Sequence, residues 1–351
     1  MMIAMSGGVD SSVAAMLMVE QGYHCAGLTL RLFDPVQIAD HRLPCPESEE
    51  SESARSVANK LGIPFFSLDL SQEFHAQVIA YFAQTYLQGA TPNPCVVCNQ
   101  KIKFGLLLEQ AAQLGYENVV TGHYAVIERS ATGRWLLKKA ADHTKDQSYV
   151  LYSLSQHQLA HARFPLATLE KSLARELAAQ GGFITAHKKD SQDICFVKDG
   201  NYRLFLEQWL QTKFLPGDFV NEHGDILGRH KGLVGYTIGQ RKGLGISAPQ
   251  PLFVLEKQVD TNRIVLGSDD SLFKKQVFAD QTNWISVNGL TGPMKVKARI
   301  RYNQKEADAV VHPLDANRVC VEFAAAQRAP ARGQSIVFYD GDYVVGGGII
   351  Q

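Results

Sequence analysis

The sequence predicts an α/β protein: an N-terminal parallel-sheet domain, a small mostly β central domain and a C-terminal β-barrel. Three observations lead there. Strand-like and helix-like runs alternate from Met1 to about Leu70, a glycine turn joins the first strand to the first helix, and after about Val197 short β-like runs separated by glycine turns take over. The expected domain spans are 1–197, 198–270 and 271–351.

In the first domain the pattern reads strand 3–5, helix 11–21, strand 26–30, helix 47–61 and strand 65–68. Gly22 and Gly62 follow the two helical runs, where a left-handed C-terminal cap favours glycine, and Pro64 follows the second. Right-handed βαβ crossovers and a parallel sheet are expected. A helix over 71–88, a loop over 89–99, a helix over 101–114 and strand-like segments at 118–121 and 122–124 extend the same unit. Ligand sites of such sheets collect at the carboxyl edge, so the loop 89–99 and residues 122–124 are candidates. The acidic run at 47–52 opens a helix, where negative charge meets the dipole favourably. After Val197 no further long amphipathic helix is expected, and alternation at 295–302, 318–323 and 335–339 fits a small barrel.

With 351 residues and 45% hydrophobic content the chain can bury a large core, and no apolar run approaches the ~20 residues that span a bilayer. The expectation is a soluble, cytoplasmic protein with no membrane contact. Lys plus Arg balance Asp plus Glu at 35 each, which argues against a chain coated in positive charge, so any RNA contact must use local basic patches. Six cysteines are too sparse for a disulfide scaffold and read as reduced thiols, catalytic or metal-binding where they matter.

The most informative stretch is Ala4, Met5, Ser6, Gly7, Gly8, Val9, Asp10, Ser11 and Ser12. Two glycines at a strand-to-helix junction allow a tight turn and expose backbone N–H groups, the helix adds unpaired amides and its positive dipole end, and three serines can donate hydroxyl hydrogen bonds. The stretch lacks the Gly-Lys-Ser/Thr ending of a Walker A loop and the spacing of the dinucleotide fingerprint. It resembles the PP-loop of the ATP pyrophosphatases, which implies an adenine nucleotide alpha hydrolase-like domain that binds ATP and Mg²⁺.

Cys95 and Cys98 form a C-x-x-C after Asn93 and Pro94, ahead of a helix expected near Lys101, where thiol pKa values should be depressed. Taken alone, this spacing fits a redox dithiol, half a zinc site or two ligands of an iron–sulfur cluster. No second closely spaced thiol or histidine pair completes a zinc site. Cys25 and Cys320 fall in strand-like runs and read as core thiols, while Cys45 has no assigned role. His123 reads as a hydrogen-bonded structural histidine at a strand end. Arg229, Lys231, Arg241 and Lys242 come without an intervening acid, and Lys295, Lys297, Arg299 and Arg301 fall on one face of a strand, so both sets could face RNA phosphates.

In order and over almost the whole chain, SGGVDSS, TPNPCVVCNQKIKFG, TGHYA, KDQSYVLY, KKDSQDICF, YTIGQRKGLGI and RIRYNQ resemble the tRNA-specific 2-thiouridylases, the MnmA family. The resemblance implies a tRNA-uridine 2-sulfurtransferase that adenylates uridine 34 of tRNA(Lys), tRNA(Glu) and tRNA(Gln), then replaces the oxygen at C2 with sulfur. It makes Cys98 the nucleophile and Cys195 the carrier of a persulfide, delivered by a cysteine desulfurase or relay protein. It also assigns Leu30 and Gly122 to the nucleotide, Asn93, Pro94 and the residue at Cys95 to the target base, and Lys145, Asp146, Gln147, Arg241, Lys242, Arg301 and Tyr302 to tRNA.

The best-known members carry aspartate where this chain has Cys95. Three converging thiols, Cys95, Cys98 and Cys195, could instead hold a [4Fe-4S] cluster whose fourth iron binds hydrosulfide, as in related tRNA thiolases. Two rival classes stand beside this reading. A PP-loop ligase acting on a small molecule would release pyrophosphate without RNA, and a non-enzymatic RNA-binding metal knuckle would turn over no ATP.

Overall fold

The computed structural model describes residues 1–33, 47–188, 194–197 and 200–351. Cys45 and residues 189–193 of the KKDSQDICF motif lie outside the described residues. Among the described residues, seven strands lie in the first part of the chain: β1 (Met2–Ala4), β2 (Ala26–Arg31), β3 (Phe65–Asp69), β4 (Val119–Val120), β5 (Ala125–Arg129), β6 (Trp135–Lys139) and β7 (Ala162–Arg163). Five of them form a parallel sheet in the order β3-β2-β1-β4-β7. The strand order reverses beside β1, so the crevice beyond the carboxyl ends of β1 and β4 is where a ligand site is built.

Helix α1 (Val9–Glu20) follows β1 and is buried on most of its surface, with Val9, Val13, Ala14, Met16 and Met18 packed between the sheet and the helix Lys171–Gln180. An all-round apolar helix is the pattern of a core element. Helix α2 (Glu49–Lys60) starts at Ser48, whose hydroxyl caps the Ser51 amide, and three glutamates occupy its first turn. Gly22 and Gly62 adopt φ of +79° and +68°, as the sequence predicts.

Three features differ from the sequence reading. Residues 122–124 are not strand: β4 stops at Val120, and β5 pairs with β6 as a hairpin that leaves the parallel sheet. The cysteine helix begins at Pro94, whose missing N–H costs nothing at a first helical position, and continues to Gln113 through a π-helical stretch, Cys98–Leu106. Past Val197 an eight-residue helix, Tyr202–Trp209, packs Phe205 and Leu206 into the aromatic cluster of Phe74, Phe82 and Phe196.

The middle region is a four-stranded sheet in the order Phe253–Gln258, Arg263–Gly267, Gly217–Val220, Ile226–His230. The C-terminal region is an antiparallel barrel of Phe273–Trp284, Met294–Arg299, Ala307–Pro313, Val319–Arg328, Ser335–Asp340 and Tyr343–Ile350, closed where the first strand pairs with the last. The β5–β6 hairpin joins that last strand at Tyr343 and Lys138. One hydrophobic core runs through the join, from Met2, Leu28 and Val119 to Ile285, Val337, Tyr339 and Val344.

Candidate active site

The turn between β1 and α1 is held by its own residues. Gly7 sits at φ +70°, and any side chain there would run into the Glu50 carbonyl at the start of α2. Gly8 is the N-cap of α1 and supplies no side-chain cap, so the first helix amides are left to other acceptors. The serines do donate hydroxyl hydrogen bonds, but two of them spend these within the loop. The hydroxyls of Ser11 and Ser12 donate back to the Gly8 carbonyl at 3.1 and 2.8 Å, and Ser12 also pairs with buried Thr185 at 2.9 Å. Their role is to fix the turn, while Ser6 is exposed. The anion-binding capacity therefore rests on backbone N–H groups and the dipole of α1.

Gly122 is a packing requirement as much as a contact surface: a Cβ there would stand 2.8 Å from Asp10 and 2.9 Å from the Ser11 amide. Leu30 lies near the carboxyl end of β2, bordering the same crevice. Asp10 is the feature that sequence reasoning placed without its partners. The Lys171 ammonium lies 2.6 Å from each Asp10 carboxylate oxygen, and the Tyr124 hydroxyl donates to Oδ1 at 2.8 Å. No motif marked Lys171, because it is the first residue of a helix more than 150 positions away.

Mg²⁺ was expected at this loop. Asp10 is its only carboxylate, and both its oxygens are engaged by Lys171, so the residues as arranged do not present a Mg²⁺ site.

The thiols occupy the other side. Cys95 and Cys98 lie in the first turns of the helix that starts at Pro94, one α-helical turn apart. Cys195 follows Ile194 in the segment 194–197, anchored by buried Phe196 and Val197. Cys195 experiences Cys98 and Cys95 as like charges, and all three feel the cation of Lys103. Cys195, 97 positions after Cys98 in sequence, thus lies within electrostatic reach of Cys98 and Cys95.

The expected depressed thiol pKa values are not found. Surrounding protein pushes the Cys95 and Cys98 thiols up, and Cys195 is pushed up to about 12, in each case with loss of hydration as the largest cause and Lys103 opposing it. Cys95 stands in the first turn of the helix, where the dipole favours thiolate, and Cys95 and Cys195 reach the surface, yet the apolar surroundings outweigh both influences. Among the described residues no group of three or more Cys, His, Asp or Glu side chains stands where it could hold a metal ion. The three cysteines in this arrangement do not fit a [4Fe-4S] cluster, and the described cysteines are free thiols.

The π-helical stretch has a visible lock. Gln158 donates from Nε2 to the Gln100 and Phe104 carbonyls at 2.7 and 2.9 Å, and Asn99 and Gln100 donate to the Val150 and Ser153 carbonyls at 3.1 Å each. π-Helical turns free carbonyls that then need partners, and they cluster at functional sites. Lys103, five positions after Cys98, is half-buried within it. Its cation also opposes protonation of buried His123, whose Nδ1 lies 2.7 Å from the Thr121 hydroxyl and whose pKa burial lowers well below normal.

Asn93 is the N-cap residue before buried Pro94. The chain leading to them is tied to the other domains: the Thr91 amide donates to the Arg332 carbonyl at 2.7 Å, and Gln334 donates to the Thr91 and Pro92 carbonyls at 3.1 Å each. Beneath it, the buried Lys257 ammonium reaches the Ala90 carbonyl at 3.5 Å.

Several expected RNA contacts are used internally. Buried Asp146 accepts hydrogen bonds from the Ala140 and Ser148 amides and the Ser148 hydroxyl and lies 3.8 Å from Arg299, while the Gln147 side chain accepts from the Tyr124 amide at 3.0 Å. Arg299 also pairs with Glu306 at 2.9 Å, and Arg301 donates to the Ala329 carbonyl at 2.7 Å and the Ile238 carbonyl at 3.4 Å, fastening the barrel to the middle domain. The four-cation strand face is therefore reduced to exposed Lys295 and Lys297, the latter 3.9 Å from Asp308. Arg241 and Lys242 are exposed, Lys145 is half-buried, and Tyr302 donates to the Asp146 carbonyl at 3.0 Å while lying near Cys95.

Comparison with known proteins agrees with this layout. Family models described as the tRNA methyl transferase HUP domain, PRC-barrel domain and the aminomethyltransferase beta-barrel domain match residues 1–199, 203–268 and 274–350. The chain is 46% identical to the tRNA-specific 2-thiouridylase MnmA of Symbiobacterium thermophilum, over 100% of this chain and 91% of that one. It is 47% identical to that of Clostridioides difficile, over 100% and 97%. Among solved structures, a 4-thiouridine synthetase in complex with RNA and ATP aligns at 16% identity and a TM-score of 0.37, covering 55% of this chain and 43% of that one. With near-complete coverage at this level of identity, the chain belongs to the tRNA-specific 2-thiouridylase family.

Proposed function

We propose that this protein is a tRNA-uridine 2-sulfurtransferase: it uses ATP to convert uridine 34 of tRNA(Lys), tRNA(Glu) and tRNA(Gln) to 2-thiouridine, releasing AMP and pyrophosphate. The observation that carries the proposal is three thiols, Cys95, Cys98 and Cys195, within electrostatic reach of one another, in a chain whose α1 helix has no side-chain cap and so leaves its first amides open to an anion. Thiol chemistry distinguishes it from the methyl transfer named in the family-model descriptions, which has no need of such a triad.

A uracil carbonyl oxygen leaves poorly. Attack of the C2 oxygen on the α-phosphate of ATP expels pyrophosphate, which the turn binds through its amides, and makes that oxygen part of a good leaving group, AMP. Position 34 lies in a single-stranded anticodon loop, where unstacking a base is inexpensive. Asn93 and Pro94, fixed by the barrel through Thr91 and Pro92, border the place the base would enter.

Cys195 carries a persulfide supplied by a donor protein. Its terminal sulfur bonds to C2 and AMP departs. The Cys98 thiolate then attacks the Cys195 Sγ, breaking the persulfide S–S bond and forming a Cys98–Cys195 disulfide, and an external dithiol supplies the two electrons that reset the pair. Lys103 assists by favouring thiolate at each cysteine. No step is routed through an iron–sulfur cluster or a protein-bound Mg²⁺.

The test is 2-thiouridine formed at position 34 by anaerobically purified protein with ATP, Mg²⁺, tRNA, a dithiol reductant and a cysteine desulfurase with cysteine as the persulfide donor, with and without cluster reconstitution. Equal product from iron-free protein is expected. A strict requirement for iron would overturn the persulfide route, and pyrophosphate release without tRNA would favour a small-molecule ligase.

A further inference from the structure

We propose that Lys171 is the pyrophosphate-binding cation of the β1–α1 turn and that Asp10 serves to aim it. This rests on the ATP-dependent reading above and deepens it.

Asp10 stands on the first turn of α1, next to the amides that would bind a phosphate. A bare carboxylate there repels the anion. Lys171 cancels that repulsion: its ammonium lies 2.6 Å from both Asp10 oxygens, from the first residue of a separate helix. Tyr124 completes the grip, with its hydroxyl 2.8 Å from Oδ1 and its ring 5.8 Å from the ammonium. The lysine side chain is 10% exposed and the aspartate 33%, so the pair is largely shielded from water. Gly122 packs so closely behind Asp10 that an added Cβ there would stand 2.8 Å from the Asp10 Cβ.

The consequence is an assignment of charge. Both oxygens that would bind a divalent ion are already held by a cation of this chain, and an arriving pyrophosphate group competes with Asp10 for the same ammonium. Charge-assisted hydrogen bonds to phosphate are among the strongest available in a partly dry site.

The test uses the full chain and measures binding of ATP and of inorganic pyrophosphate by calorimetry, in Mg²⁺ and in EDTA. Lys171→Met is expected to weaken both ligands about tenfold to a hundredfold under both conditions, with Lys171→Arg recovering most of the loss. The paired variant Lys171→Gln with Asp10→Asn, which keeps a hydrogen bond and leaves no lone charge, guards against misfolding. It should melt as a folded protein and show the same weakened pyrophosphate binding. Unchanged pyrophosphate affinity in either neutral variant overturns the role of Lys171 while leaving ATP use intact. Wild-type protein that binds neither ligand overturns both readings.

Discussion

The nucleotide half and the sulfur half of the candidate site are built in opposite ways. The β1–α1 turn takes its ligand-facing backbone from one short stretch that bonds to itself, with Ser11 and Ser12 returning their hydroxyls to Gly8, and distant segments only brace it, at Glu50, Lys171 and Thr185. The thiol half draws Cys95 and Cys98 from one helix, Cys195 from a distant segment and Tyr302 from the barrel, and its surroundings push all three thiol pKa values up although Cys95 and Cys195 reach the surface. The first is a rigid receptor that exists before its ligand. The second keeps its nucleophiles quiet until something changes their surroundings, which protects a reactive site from adventitious chemistry.

The comparison breaks most sharply at Cys98. Cys98→Ser is expected to lower 2-thiouridine formation by at least about a thousandfold while ATP affinity stays within about twofold, read by product analysis beside calorimetry. A parallel fall in ATP affinity would mean that the halves are one unit.

Alkylation of Cys195 tests the quiet state. With its pKa pushed up to about 12, iodoacetamide should modify it at neutral pH about a hundredfold to a thousandfold more slowly than free cysteine. The rate should rise about tenfold per pH unit through the alkaline range, as measured by mass spectrometry of the labelled peptide. The nucleotide half is probed by Gly7→Ala, which forces a side chain into φ +70° and into the Glu50 carbonyl. ATP affinity should fall about tenfold or more, with Cys98 alkylation unchanged.

The smallest effect concerns the segment linking the halves to the middle domain. Burial lowers Lys257 from 10.5 to about 8, so between those values the unfolded chain binds more protons and wild-type stability rises with pH. Lys257→Met should stabilise the protein at neutral pH by up to about 3 kcal/mol, and thermal melts should show that gain shrinking across the same window.

How much of this was readable in the sequence follows from the same contrast. The parallel sheet, the β1–α1 turn and the left-handed caps at Gly22 and Gly62 depend on local patterns, and the sequence states them almost directly. The barrel strands were legible through alternation, but period two reports which side a residue faces and not what it meets, so the internal partners of Arg299 and Arg301 could not be read from it. Pro94 carried the signal for an earlier helix start than Lys101. Lys171 and Gln158 had no local signature, because their roles come from segments brought together only by folding.

The β5–β6 hairpin has a consequence for how this molecule comes apart. Because the hairpin hydrogen-bonds to the last strand of the barrel, and one core runs from Met2 to Val344, the ends of the chain are stitched into a shared cooperative unit. Cutting at the apparent boundary near residue 197 would strip apolar surface from both pieces, so neither is expected to persist as an autonomous fold. Heating should melt the nucleotide sheet and the barrel in a single transition, and newly synthesised chain must wait for its final strand before the site at its beginning is finished.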